Sequence, residues 1–120
     1  MTHPGPVRLT LHAEGAATAA LCVILYAQTG ADWRLFALLI LAPDLAMLGY
    51  IGGTRAGAVA YNAAHSYLAP LALAALGWAV GWPALLPLAL VWGAHIGADR
   101  ALGYGLKYAT GFRDTHLARA

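Results

Sequence analysis

The chain has 120 residues, of which 61% are hydrophobic and only 10% charged, with a formal net charge of +2. A soluble domain carries roughly 25% charged residues, so water is the wrong solvent here, and the length leaves no room for a soluble catalytic domain beside the membrane segments. The basic residues are spread singly rather than gathered into a patch, which excludes nucleic acid as a partner, and the single cysteine, Cys22, excludes an intramolecular disulfide or a cysteine-based metal site.

At about 20 apolar residues per crossing, the hydrophobic runs predict four helices. The first covers roughly residues 9–28, after Val7 and Arg8 and before Gln28, Thr29 and Gly30. It carries Glu14 and lacks both a lysine-rich start and a small-residue cleavage site, so it reads as a retained helix; His3, in the Pro-rich N-terminal tail, reads as solvated. The second helix covers roughly 33–51, from Trp33 to the glycines Gly49, Gly52 and Gly53. A third, roughly 56–78, starts after Arg55 and ends at Trp78, an aromatic suited to the membrane interface. Pro83 can open the fourth, roughly 83–107, because a first-turn residue needs no amide donor.

Short connections make successive helices antiparallel neighbours, so the expected fold is all-α: a polytopic membrane protein, one membrane domain built as a four-transmembrane-helix up-down bundle. Arg8, Arg55, Lys107, Arg113 and Arg119 fall on one side and Arg34 alone on the other, which places both termini and the tail 108–120 in the cytoplasm. Trp33, Trp78 and Trp82 then lie at the outer interface.

Ionisable groups in a membrane helix are costly, roughly 2.5–3.5 kcal/mol at the centre, so each needs a reason. In this topology all four helices put theirs in the cytoplasmic leaflet: His12 and Glu14 on the first, Asp44 and Tyr50 on the second, Tyr61, Asn62, His65 and Ser66 on the third, and His95, Asp99, Arg100, Tyr104 and Lys107 on the fourth. At 1.5 Å per residue, His65 lies on the order of 15 Å inside Arg55 and His95 about as far from Lys107, so the two histidines can be level. His95 and Asp99, four apart, share a helix face. The opposite side carries Gly93, Gly97, Ala101 and Gly105, a stripe that lets a backbone approach closely, either that of a neighbouring helix or that of a second copy in a homo-oligomer. Pro43 and Pro70 leave the carbonyls of Leu39 and Ser66 without amide partners, predicting kinks and a small wet cavity beside Asp44.

The strings LHAEG, APDLAMLGY, YNAAHSYLAP, HIGADRALGYGLKY and GFRDTHL resemble an uncharacterised bacterial membrane family, domain of unknown function 4260, over nearly the whole chain. The resemblance implies a four-helix protein of the bacterial cytoplasmic membrane and draws attention to Glu14, Asp44, Asn62, His65, His95, Asp99, Arg100, Lys107 and His116. A more distant likeness is to membrane-bound metal-dependent hydrolases, echoed by Pro43 with Asp44, by His65, and by Thr115 with His116. The spacing departs from that pattern, and Ala46 stands where a second acidic residue is expected.

Two imidazoles and several carboxylates at one depth suit zinc, iron or manganese. Asp44, His65, His95, Asp99 and His116 are the candidate ligands, with Glu14 as a further carboxylate and His116 reaching the cluster by folding back to cap it from below. Such a site would give hydrolysis of a lipid or amphipathic substrate, with Glu14 and Asp44 in the chemistry and Arg100 and Lys107 holding phosphate. Two other readings compete. One is a hydrogen-bond network of Asp99, Arg100, His65, Asn62 and Tyr61 that only locks helix pairing; the other is a proton or small-solute transporter.

Overall fold

The computed structural model describes residues 5–120, so the tail position His3 lies outside the described residues. The described residues are helical apart from short connections and one isolated antiparallel bridge between Lys107 and Thr115, and they form no strand. Two segments, Pro6–Thr29 and Trp33–Gly52, are long and apolar enough to cross a membrane by length and composition.

Helix α1 spans Pro6–Thr29, with Pro6 at its first position, where the missing amide is harmless, and Gly30 closing it in the left-handed conformation at φ 74°. Asp32 caps α2, Trp33–Leu39, by accepting from the Arg34 amide at 2.9 Å. Fully buried Tyr26 stitches this turn: its hydroxyl donates to the Asp32 carbonyl at 2.6 Å, and its ring packs with Trp33 and Phe36.

The second and third expected helices are broken rather than kinked. After Leu39 the chain tightens into a 3₁₀ helix over Ala42–Gly52, and the third run divides into α3, Thr54–His65, and α4, Leu68–Ala79. Proline is the cause in both places. Pro43 cannot donate to Leu39, the last residue of α2, and Pro70 would clash with the Ser66 carbonyl, so Ser66 swings to extended angles of φ −90° and ψ 138°.

Helix α5 covers Leu85–Leu102, not 83–107: Gly103, at φ 102°, ends it in a Schellman turn with Tyr104 N–H donating to Asp99 O at 2.7 Å and Gly103 N–H to Arg100 O at 3.1 Å. Lys107 therefore lies beyond the helix. The chain then folds back on itself and finishes in the short α6, His116–Arg119, whose Leu117 is buried.

Helix α5 is the centre of the molecule, with α1 and α4 packed along it and the 3₁₀ helix against α3. The small stripe of α5 meets α1 of the same chain: a Cβ on Gly97 would stand 2.6 Å from Ala19 N and 2.7 Å from Gly15 O, and one on Gly93 would stand 2.9 Å from Cys22 Sγ. That face is thus filled by a neighbouring helix, and a second copy could use it only by displacing α1. His12 adds an Nδ1 hydrogen bond to the Ala101 carbonyl at 2.8 Å.

The returning tail is held by His116, whose Nδ1 accepts from the Leu106 amide at 2.8 Å while its own amide donates to Leu106 O at 3.0 Å. Burial, and then the Arg100 guanidinium, hold this imidazole below its ordinary pKa. A depressed folded-state pKa favours the neutral ring, so the contribution is complete above the ordinary imidazole pKa and is lost as pH falls toward the folded value. Acidification from pH 7.5 to about 5 should therefore expose the Leu106 amide to hydrogen exchange and the tail to protease, whereas His116→Ala should leave both exposed at either pH.

Candidate metal centre

Four side chains from three separate elements converge beside α5. Asp44 comes from the first turn of the 3₁₀ helix, His65 from the last residue of α3, and His95 and Asp99 from one face of α5. Asp44 Oδ1 lies 3.1 Å from both His65 Nε2 and His95 Nε2, and the two Nε2 atoms are 3.1 Å apart. Asp99 Oδ2 is 3.5 Å from His65 Nε2 and 3.2 Å from His95 Nε2. All four ligand atoms lie within 4.8 Å of one another. Both histidines are buried, while the carboxylates are reached from a cleft.

The helix breaks orient this set. His95 Nδ1 lies 2.5 Å from the Ile40 carbonyl, which a continuous helix would have paired with the Asp44 amide; here that amide turns to Leu41 O instead. His65 Nδ1 lies 2.9 Å from the Tyr61 carbonyl, and its ring stacks on the Tyr61 ring at 3.8 Å between centroids and 3° between planes. Carbonyl oxygens only accept, so both rings carry a proton on Nδ1 and turn Nε2 to the centre, a bare lone pair in the neutral ring.

With the rings neutral, two nitrogen lone pairs and two carboxylates face one another with no donor between them. Four ligands about 2.0–2.1 Å from a zinc ion stand roughly 3.3–3.4 Å apart, close to the measured separations. The donor set, two imidazoles and two carboxylates, is one that zinc, iron and manganese accept, and the outer carbonyls supply the tautomer-fixing contacts such ligands use. The residues fit a divalent ion.

The other expected site residues lie outside these four side chains. Arg100 is buried with its Nη2 donating to the His65 carbonyl at 2.9 Å, so it closes the C-terminal end of α3 instead of meeting a ligand. His116 spends its Nδ1 on Leu106 N–H. Glu14 is exposed on α1 and lines a separate cleft with Tyr67, Arg100 and His116. Lys107 comes nearer: its Nζ sits 4.6 Å from the Tyr61 ring and 3.7 Å from the Phe112 ring, two residues that line the cleft above Asp44 and Asp99.

Asn62 proves structural, its side chain pairing with the Lys107 backbone at 2.6 and 2.7 Å and thereby seating Lys107 at that cleft. Residue patterns did not reveal the part played by Trp92, whose Nε1–H donates to Ala64 O at 2.6 Å and holds the broken end of α3. Its place one turn before His95 was the available signal. Nor did they reveal Phe112.

A family described as a domain of unknown function (DUF4260) matches residues 8–120, and the chain belongs to that family. No curated protein and no solved structure matches it.

Proposed function

We propose that this DUF4260 protein is a four-span membrane protein that holds one divalent metal ion on Asp44, His65, His95 and Asp99 and uses it to hydrolyse an amphipathic substrate. One observation carries the reading. Both histidines commit Nδ1–H to backbone carbonyls, so as neutral rings their Nε2 atoms meet each other and two carboxylates with lone pairs only. A divalent ion satisfies that set of acceptors at once, whereas a purely structural network would need protonated imidazoles to supply its donors.

The membrane part of the proposal rests on the surface. Leu38, Leu41, Leu45, Leu48 and Ile51 are 64–87% exposed along the second apolar segment, more than a water-facing surface leaves open. Pairing α2 with the 3₁₀ helix and α3 with α4 as two broken spans, between α1 and α5, gives four crossings. Arg8 supports the placement of both termini on one side, since its Nη2 donates to Ala118 O at 2.6 Å. The lysine and arginine bias makes that side cytoplasmic.

A divalent ion held here would supply Lewis-acid activation of water if its shell opened a fifth position toward the cleft. The chain's own residues do the rest. Asp44, with a side chain 33% exposed against 17% for Asp99, is the carboxylate best placed to take the water proton, while Tyr61 and Ile40 keep the imidazoles in register. Protein purified in detergent without chelators is expected to carry about one divalent ion per chain, or to take one up from zinc, iron or manganese after stripping. Elemental analysis that finds no ion and no uptake would end this reading.

A further inference from the structure

We propose that a second site, apart from the metal centre, binds the zwitterionic phosphoethanolamine head of a membrane lipid, with the phosphate on Arg100 and the ammonium on Glu14. It does not rest on the metal reading. The site is a cavity of about 240 Å³ whose wall includes Glu14 and Gly15 of α1, Tyr67 at the entry to α4, Arg100 of α5 and His116. None of Asp44, His65, His95 and Asp99 lines it.

Arg100 supplies the anion-binding side. Its side chain is 6% exposed, and two of its five N–H groups are spent on backbone carbonyls, Nη2 on His65 O at 2.9 Å and Nη1 on Tyr104 O at 3.2 Å. Among the described residues no carboxylate lies within 4.0 Å of the guanidinium, so a buried permanent charge is met by neutral oxygens alone. Beside it the Tyr67 hydroxyl is closed to solvent and has no hydrogen-bond partner among the described residues. His116 has spent Nδ1 on the Leu106 amide, which leaves the proton of the neutral ring on Nε2. Apart from Glu14, the polar groups of this wall can all donate, and donors around a fixed positive charge select an anionic oxygen group.

Glu14 decides what else the ligand carries. It lines the same cavity as Arg100, yet the two stand more than 4.0 Å apart and form no ion pair. A simple anion is repelled by Glu14 and a simple cation by Arg100, whereas a ligand bearing both charges in the reverse order is attracted by both. A phosphate joined through two carbons to an ammonium has that form. About 240 Å³ is below the roughly 300–1,000 Å³ of pockets for drug-sized ligands, and suits a head of this size.

The lipid source follows from the next cavity along the same helices. It is about 250 Å³, and its wall includes Thr18 and Cys22 of α1, Pro70 and Leu71 of α4, and Leu90 and Gly93 of α5. Tyr67 lines both cavities. On α1, Leu11 and Gly15 of the polar cavity and Thr18 and Cys22 of the apolar one recur every three or four residues, so both lie along one helix face. On α5, Leu86, Leu90 and Gly93 keep the same spacing, and Arg100 follows two such steps later. A lipid with its head at Arg100 therefore has apolar walls for an acyl chain directly beyond Tyr67.

The test uses the full chain in detergent and native mass spectrometry with three probes: lysophosphatidylethanolamine, its N-acetylated form, which keeps the phosphate and loses the ammonium, and free phosphoethanolamine. Zinc affinity is measured in parallel. The wild type is expected to bind the first probe at least tenfold more tightly than the second. Glu14→Gln should bring the two within about twofold and leave zinc affinity unchanged. Arg100→Lys should weaken both at least tenfold, and Tyr67→Phe several-fold. Ala74→Leu, which fills the apolar cavity, should weaken the lipid and not free phosphoethanolamine. Equal binding of the first two probes by the wild type, or a preference that survives Glu14→Gln, would overturn the proposal. Free phosphoethanolamine competing as well as the lipid would overturn the lipid source and support the zwitterion site. Because Arg100 also closes α3, its variant can fail to fold; Glu14 is exposed, and Glu14→Gln decides the matter by itself. A wild type that takes up no zinc while keeping the probe preference would end the metal reading and support this site.

Discussion

Replacing His65 or His95 by alanine is expected to lower the affinity for a divalent ion by more than about 100-fold, beyond the roughly 10–100-fold typical of losing a partner outside the ligand shell. Among the described residues each imidazole is one of four groups that converge, and no other imidazole among them joins the cluster. Asp99→Asn and Asp44→Asn keep an oxygen donor but lose the charge, and should fall short of the histidine losses while still weakening binding. Glu14→Gln and His116→Ala should bind the ion as the wild type does, because the first lines a separate cleft and the second is spent on the Leu106 amide. Isothermal titration of stripped protein with zinc checks the series. Equal affinity in the wild type and His95→Ala would mean that the ion binds elsewhere.

Gly97→Ala is expected to destabilise the fold by about 1–3 kcal/mol, the usual range for forcing a methyl group into a filled core, and toward the upper end here. The added Cβ would meet backbone atoms, Ala19 N at 2.6 Å and Gly15 O at 2.7 Å, which can yield only if α1 moves away from α5. Gly93→Ala meets the Cys22 Sγ at 2.9 Å, a side chain that can rotate, and should be milder. Gly111→Ala meets nothing within 4 Å and should be close to neutral. Thermal denaturation in one detergent ranks the three. An order in which Gly93→Ala exceeds Gly97→Ala would contradict the α1–α5 contact described here.

Hydrophobic length and the spacing of ionisable residues made the helical class and the convergence of these four side chains legible without coordinates. Asp44, His65, His95 and Asp99 are recognisable because carboxylates and imidazoles in apolar runs are few and can be brought to one depth. The two prolines predicted disturbances at the right carbonyls, but a proline rule cannot say whether a helix bends or stops. The 3₁₀ continuation after Pro43 and the extended Ser66 depend on what α5 offers the freed groups, namely His95, Trp92 and Arg100.

Arg100 was misjudged for a related reason. Four residues after Ile96 and one after Asp99, it points away from the ligand face by helical phase, toward the broken end of α3, and no break was foreseen there. The overlong fourth helix traces to Gly103, a helix stop that the apolar run was read through, with Gly105 beyond it counted into the small-residue stripe. His116 was counted among the ligands; its tail does fold back, but what its ring grips is the backbone of Leu106.

X-ray absorption at the metal edge of zinc-loaded protein tests the central claim most directly. The centre described here predicts a shell of nitrogen and oxygen only, at about 2.0–2.1 Å, with outer-shell scattering from two imidazole rings. A sulfur scatterer near 2.3 Å, which would implicate Cys22, or the absence of imidazole scattering would contradict it.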